Sequence, residues 1–531
     1  MQKRIRIVSI GIILIVLFIS ITLNNNTNNK HTFKKDGILY ALSLDGKSIT
    51  SFPSKGLYKA NVSCEGADGK WLYDDWKLSI ENITGDVSCD IKFETITKTY
   101  FNDYITGLAG TTQGTGEVVN ETANIPDYSS AVAISKSSYT SQSIFSSTYY
   151  WDTSGTAVSD AYTFANNTWT SALSAMTSNT HYHFKFSPSE NGYYQMCYDL
   201  SAGNANNQLH VYVNNISQLS ISASTTVSKS GCVELGYVTT LDYIRIIQST
   251  YTNISTLSFS IKKVAKMNSL TAGIRYEGKN PNNYVWFNNE FWRIIGVFDT
   301  EVVNPDNTTE NKSLVKIMRA DVLNGLAWHK SNTNDWTSAS LNLLLNGAYY
   351  NAQDGTSSGY CYGYSTKITA NCDYTKKGIQ SGNRSMIAKV IWHLGGYQSA
   401  SATTGIFYGY ERGTAVYSGR PTSITGYIGL IYPSDYGYSV LANSCARTIN
   451  LSSYNSSSCA GQSWLYGKGY EWTLTPNSSD SRNVFSMNFI GYLNGTNAFN
   501  GDGVRPVLYL DTSVYKIDGE GTLDKPYIIA D

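Results

Sequence analysis

Apolar residues recur at every second position through much of this chain, the period expected of β-strands with one buried face. Between His31 and Thr97 the runs GILYALSLDGKSITSF, LYKANVSC, KWLYDDWKLSI and SCDIKFETI are separated by turn-forming residues. They predict about five short strands in a small β domain, residues 33–98. NDYITGLAG, followed by GTTQGTG, predicts a short helix and a linker over 99–116. A second series of runs follows: SSAVAIS, AYTFANN, HYHFKFSPS, GYYQMCYDL, QLHVYVNN, GCVELGYV, DYIRIIQS and LSFSIKKV. These eight strands suggest a jelly-roll-like antiparallel β-sandwich over 117–266.

The last expected domain spans 268–531. Asn288-Asn289 between VWF and EFWRIIGVF marks a two-residue hairpin turn, and VKIMRADVL reads as a further strand. WTSASLNLLLNGAYYN brings Leu341, Leu343, Leu344 and Leu345 up to Gly347, the pattern of a short amphipathic helix with a Gly cap. SMIAKVIWHLGG predicts a second helix, stopped by Gly395. With closing strands in SWLYGKGYEWTLTP, VFSMNFIGYLN and GVRPVLYLDTSVYKI, the expectation is an α+β domain with two helices on a curled sheet. The fold class is thus mainly β with an α+β C-terminal domain.

The N-terminus departs from this pattern. Lys3, Arg4 and Arg6 precede an uncharged run, Ile7 to Leu23, whose helical rise of about 26 Å approaches the ~30 Å hydrocarbon thickness. The basic flank keeps the N-terminus cytoplasmic and sends the remainder outside. The run ends in Leu23-Asn24-Asn25-Asn26 without a small-x-small cleavage site, favouring an uncleaved signal anchor over a cleaved signal peptide. Residues 1–23 are therefore expected to form a single transmembrane helix, and 24–32 a polar spacer.

Charge narrows the partners. Forty Lys plus Arg balance forty Asp plus Glu, which leaves no field of either sign for nucleic acid. Charged residues make up 15% of the chain and aromatic residues 13%, with 41 Tyr against 17 Phe and 11 Trp. Tyr and Trp supply rigid amphipathic contact area, and Ser, Asn and Gly adaptable hydrogen bonds, a mix found in binding surfaces. The eight cysteines fall as Cys64 and Cys89, Cys197 and Cys232, Cys361 and Cys372, and Cys445 and Cys459. Nearest-neighbour bridges leave none over and keep each inside one expected domain, although sequence alone does not choose the pairing. An even count with an export signal points to disulfides and an extracellular location.

Catalytic motifs are sparse. Walker, H-E-x-x-H and EF-hand patterns are absent. Gly355 to Gly359 (GTSSG) matches G-x-S-x-G around Ser357, but the flanking AQD and YCYGYS are not the strand and helix of a nucleophile elbow. His181 and His183 share one strand face and could hold a metal, with a surface or core pair as the simpler reading. His329 and His393 each follow a Trp and read as packed rings. Asp74, Asp75, Asp435 and Glu471 are candidate carboxylates for glycoside chemistry without an assigned role. Asp299, Glu301, Asp306 and Glu310 could bind Ca²⁺ through oxygen ligands, against the plainer reading of a hairpin tip; no other cofactor is expected. Trp71 and Trp76 read as core, with a carbohydrate platform as the sharper alternative. Arg293, Arg420 and Arg505 read as stacked or internally paired.

The motifs NYVWFNNEFWRIIG, ERGTAVYSGRPT, IGLIYPSDYGYS, EWTLTP and GVRPVLYLDTSVYKIDGEGTLDKPYII resemble a group of uncharacterised surface proteins of Firmicutes and their wall-less relatives. The resemblance covers about 268–531 and, faintly, His31 to Thr97. The order of early helices, Trp-rich strands and a late G-x-R-P strand is also similar to the C-type-lectin-like fold shared by formylglycine-generating enzymes. Those enzymes use reactive cysteines near the C-terminus, whereas Cys445 and Cys459 lie 14 apart in a Ser/Asn loop and resemble a structural bridge. The resulting expectation is a membrane-anchored extracellular protein that binds a glycan or a surface protein. An exported glycan hydrolase and a structural envelope spacer are the alternatives.

Overall fold

The computed structural model describes residues 32–531, apart from 74, 173, 175, 202–207, 223–227, 251–255, 365, 366, 369–371 and 456. The expected anchor at 1–23 and the spacer up to residue 31 lie outside the described residues. No described helix is long and apolar enough to cross a membrane. The chain divides into two compact units, 1–98 and 99–531.

In the first unit the strands are more numerous than expected, because two of the apolar runs fold as hairpins. Asp36-Gly37 and Asp45-Gly46 both adopt positive φ and close two-residue turns on either side of the strand Ile38–Leu44. That strand pairs in parallel with Ser88–Thr95, which pairs antiparallel with Tyr58–Glu65. Cys64 and Cys89 lie directly opposite each other in the latter pair and are bridged. The hairpin Asp68–Leu72 and Lys77–Glu81 brings Trp71 into the core, edge-on to Phe93 at 5.0 Å and to Trp76 at 5.3 Å. Trp76 donates its indole N–H to the Pro53 carbonyl at 2.6 Å. Both Trp therefore serve packing.

The second unit contains a β-sandwich of two six-stranded sheets among the described residues. One runs Tyr162–Ala165, Thr168–Ser171, Leu257–Lys263, Gly192–Leu200, Lys229–Val238, with Val132–Ala133 added beside Leu257–Lys263. The other runs Thr156–Ala157, Tyr139–Ser147, Thr180–Pro188, Ile244–Thr250, Gln208–Val213, Ile216–Ser222. Alternation sends Phe184, Met196, Val211, Ile246 and Phe259 inward to a common core.

The sandwich is an insertion. The long strands Thr115–Pro126 and Met267–Asn280 pair antiparallel along their whole lengths and belong to a thirteen-stranded sheet with Tyr284–Phe287, Glu290–Val303 and Thr309–Arg319. They carry the chain into and out of the sandwich. The boundary expected at residue 117 thus falls inside a strand of the large sheet. Asn288 and Asn289 have φ of 57° and 59°, closing the expected hairpin. Glu234 of the sandwich accepts hydrogen bonds from the Tyr410 hydroxyl and, at 3.4 Å, from Tyr397, joining the insertion to the rest of the unit.

The helices differ from expectation. SMIAKVIWHLGG starts in the last two residues of a 3₁₀ turn, Ser381–Met386, and then forms the strand Val390–His393, paired with Ser423–Gly426. Val390 and Trp392 are buried there in alternation, so the apolar run is a strand covered on one face and not a helix stopped by Gly395. The expected helix at Ser340 exists as Ser340–Leu344 but continues through Gly347 in a π-helical turn, Leu345–Tyr349, and Gly347 caps nothing. Phe101–Thr106 is the expected short helix before the linker. Two helices escape the sequence pattern, Thr404–Glu411 and Pro433–Tyr438, because glycines interrupt both. Gly405 is needed: a Cβ there would stand 2.7 Å from the Asn124 carbonyl oxygen of the adjoining strand.

All four nearest-neighbour disulfides form: Cys64–Cys89, Cys197–Cys232, Cys361–Cys372 and Cys445–Cys459.

Candidate functional site

The outer face of one sandwich sheet carries an aromatic shelf. Alternation on Thr180–Pro188 turns Tyr182, Phe184 and Phe186 to the core and leaves His181 and His183 on the other side, joined there by His210, Tyr212, Arg245 and Ser249 of neighbouring strands. His183 stacks on Phe145 of the adjacent strand at 4.5 Å and 7°. The segment 148–155 folds back over this face and is held by several hydrogen bonds. Ser147 Oγ donates to the Tyr149 carbonyl at 2.8 Å and lies 2.7 Å from His183 Nε2. Arg245 Nη1 donates to the Asp152 carbonyl at 2.6 Å, and the Tyr149 N–H to Asp152 Oδ2 at 3.3 Å. Burial, Arg245 and His181 lower the His183 pKa to about 3, so the imidazole is neutral. With the Ser147 proton given to Tyr149, the Ser147 oxygen is free to accept from His183 Nε2.

These supports hold three consecutive rings outward. Tyr149 and Trp151 stack on each other at 4.8 Å and 7°, yet remain 52% and 60% exposed. Tyr150 stacks on His210 at 5.0 Å and stands edge-on to Trp151. Large aromatic residues are normally drawn inward, so three left in solvent on a loop fastened from beneath constitute a preformed apolar surface. Polar groups lie beside it: His181 Nδ1 at 2.7 Å from Ser249 Oγ and His210 Nδ1 at 3.0 Å from Ser220 Oγ. Aromatic faces bordered by hydrogen-bonding side chains can stack on the C–H face of a sugar ring or on an aromatic group of a partner protein.

The shared strand face of His181 and His183 is as expected, but each ring has a hydroxyl neighbour. No three metal-ligating side chains converge among the described residues. His329 is buried, with Nδ1 accepting from the Ser331 N–H at 3.0 Å. Ser357 sits in a turn in which Asp354 accepts from Thr356, with neither strand before nor helix after it. Asp306 accepts from the Thr308 N–H at the hairpin tip, and Glu310 pairs with Lys312 at 3.0 Å. Asp75 pairs with Lys77 at 2.7 Å on the surface, while Asp74 lies outside the described residues. Arg293 and Arg505 are buried and Arg420 is half-buried: Arg293 stacks on Tyr284 at 3.9 Å, Arg505 Nε meets Glu471 at 2.6 Å, and Arg420 donates to Thr333 and Asn334.

Asp435 lies at the centre of a buried charge cluster, 3.0 Å from Arg275 and 2.5 Å from Lys316. Burial alone would raise its carboxyl, but the two cations override this and hold it at about 2. A second cluster joins Glu121 and Glu277 through Arg447 Nη2, at 2.5 and 2.8 Å. These two carboxylates meet in the interior between paired strands and not in a cleft. Neither cluster was legible from spacing, since their members come from segments more than a hundred residues apart. The Tyr149–Trp151 shelf was equally hidden, although the unbroken TYYWD between strand-forming runs is its signal.

No family model matches the chain, and no curated protein does. Solved structures with partial similarity include the secreted serine protease VesC from Vibrio cholerae, 9% identical with a TM-score of 0.16 over 36% of this chain and 32% of that one. The Agl-KA catalytic domain is 13% identical with a TM-score of 0.13, over 33% of this chain and 31% of that one. The chain thus aligns with about a third of each, and alignments at these scores assign neither fold nor chemistry.

Proposed function

We propose that this chain is a membrane-anchored, outward-facing surface protein whose sandwich binds glycan at the Tyr149–Trp151 shelf. The observation that carries the reading is the trio of solvent-facing rings, fixed from below by Arg245, Ser147 and His183. A ligand meeting rings already ordered loses little entropy on binding, and the shelf borders hydrogen-bonding imidazoles and hydroxyls suited to sugar hydroxyl groups. Four disulfides accord with an oxidising, extracellular setting. Anchoring rests on the basic-then-apolar N-terminal segment. Kinship with the Firmicutes-type surface proteins and a C-type-lectin-like last domain belong to the same proposal.

The test is an immobilised glycan panel probed with the full-length chain in detergent, beside its Tyr149→Ala/Trp151→Ala variant. A glycan bound by the parent should lose at least about tenfold in affinity in the variant, about 1.4 kcal/mol. The melting temperature should stay unchanged, because both rings project into solvent. Equal binding by parent and variant would remove the shelf from the proposal.

A further inference from the structure

A second place in the molecule has the makings of a ligand site, far from the shelf in sequence and built from other residues. A cavity of about 290 Å³ opens in the large-sheet part of the second unit, with Phe298, Tyr408, Tyr432 and Tyr509 among its walls and Arg412 and His393 on its lining. Its volume is at the lower end for ligand cavities, roughly 300 Å³, and suits one pyranose ring better than an oligosaccharide.

Arg412 is the unusual member. It follows the helix Thr404–Glu411 as its C-cap, where a cation is favoured, and its guanidinium carbon stands over Tyr408, 3.6 Å from the ring centroid. Nη1 is occupied, donating to the Tyr408 carbonyl at 3.1 Å and to Glu411 Oε2 at 3.3 Å. Nε and Nη2 have no hydrogen-bond partner among the described residues, and 24% of the side chain is exposed. Those two donors form the side-on fork of a guanidinium, spaced to grip a carboxylate with two parallel hydrogen bonds.

Arg412 is ion-paired with Glu411 through Nη1 alone, which leaves the Nε and Nη2 edge without a carboxylate partner among the described residues. Asp435 is already shared by Arg275 and Lys316. Glu411 is committed to Ser434, through the N–H at 2.9 Å and the hydroxyl, and burial pushes its carboxyl up to about 7. Asp299 is the carboxylate on the lining; it accepts from the Ser313 hydroxyl and makes no ion pair with Arg412. Asp299 and Asn120 leave the lining with acceptors for hydroxyl groups, while the tyrosines contribute largely buried rings to its walls. An unpartnered guanidinium edge beside hydroxyl acceptors suits an occupant that carries one carboxylate and hydroxyl groups.

We propose that this cavity binds a single acidic sugar, of the uronic acid class, with its carboxylate on the Nε and Nη2 edge of Arg412. This adds a second determinant to the glycan-binding reading but stands on separate residues, and either site can fail without the other.

The experiment uses the full-length chain in detergent and three probes followed by calorimetry or ligand-observed NMR: methyl β-D-glucuronide, methyl β-D-glucoside and acetate. The two glycosides share a ring and differ at the carboxylate. The glucuronide is expected to bind at least tenfold tighter than both the glucoside and acetate. Arg412→Gln should abolish that preference. Arg412→Lys, which keeps the charge and loses the fork, should weaken the glucuronide about tenfold and serves if the Gln variant does not fold. The Tyr149→Ala/Trp151→Ala variant should bind the glucuronide as the parent does. Four outcomes each overturn the proposal: no binding of the glucuronide, equal binding of the two glycosides, equal binding of acetate, or glucuronide binding unchanged in both Arg412 variants. Loss of glucuronide binding in the shelf variant would do so as well, by moving the sugar to the shelf.

Discussion

Replacing Asp435 by Asn is the perturbation whose consequence follows most directly from the structure. Asn keeps the shape of the side chain and removes its charge, leaving Arg275 and Lys316 buried with no counter-ion. Breaking a buried ion pair from one side costs about 3–5 kcal/mol, since the remaining cations keep their desolvation penalty. The pH dependence gives a second, independent magnitude. Asp435 titrates at about 2 in the folded chain against an ordinary 3.8, the pull of Lys316 and Arg275 exceeding the effect of burial. At 1.36 kcal/mol for each pH unit this amounts to roughly 2.5 kcal/mol. A depressed carboxyl contributes stability that is present above its unfolded value and lost as pH falls through its folded value. The window is therefore about pH 4 down to about pH 2. Lys316 shifts downward as well, because burial and the nearby Arg275 and Arg412 oppose its charge. The assay is guanidinium unfolding followed by Trp fluorescence, for which Trp392, 5.7 Å from the Lys316 ammonium, is a reporter of this region. Asp435→Asn should lower stability by about 3–5 kcal/mol at pH 7, and the gap should narrow by roughly 2 kcal/mol at pH 2. A gap below about 1 kcal/mol at pH 7, or one of equal size at both pH values, would refute the reasoning.

Three further outcomes are expected. Burial raises the Glu277 carboxyl to about 9 despite Arg447, with Glu121 adding to the rise, so the folded chain holds a proton that the unfolded chain releases near 4.5. Stability from this group is complete below 4.5 and is lost as pH rises through 9. Glu277→Gln should flatten that decline, measured as the pH profile of the unfolding midpoint between pH 5 and 9. Removing the Cys64–Cys89 bridge, which closes a separation of 25 residues, should destabilise the first unit by about 3.5 kcal/mol in the chain-entropy model, read as faster proteolysis within residues 32–98. Gly405→Ala places a Cβ 2.7 Å from a backbone oxygen of the adjoining strand and should cost about 1–3 kcal/mol, seen as a lowered melting temperature.

Local chemistry was legible where partners are close along the chain. The expected four bridges formed, because cysteines 11 to 35 residues apart sit on paired strands or within one loop region. The Asn288-Asn289 turn followed from residues that tolerate positive φ. The misread segment is instructive in the other direction. SMIAKVIWHLGG has the length and apolar content of a buried helix, and its pairing with Ser423–Gly426 and with Val302 of the large sheet made it a strand.

By itself the sequence determined the β-rich character, eight of the twelve described sandwich strands and the Asn288-Asn289 turn, and it favoured the local disulfide pairs without choosing them, since period, turn propensity and short loops act between near neighbours. The tertiary structure alone decided the parallel pairing of Ile38–Leu44 with Ser88–Thr95, the insertion of the sandwich between two strands of one sheet, and the gathering of Arg275, Lys316 and Asp435. It likewise decided that Tyr149 and Trp151 stay in solvent and that Arg412 lines a cavity walled by Phe298 and Tyr509. Such features depend on contacts between distant segments, whose formation is governed by the burial of a whole surface and leaves no periodic trace in any one stretch of chain.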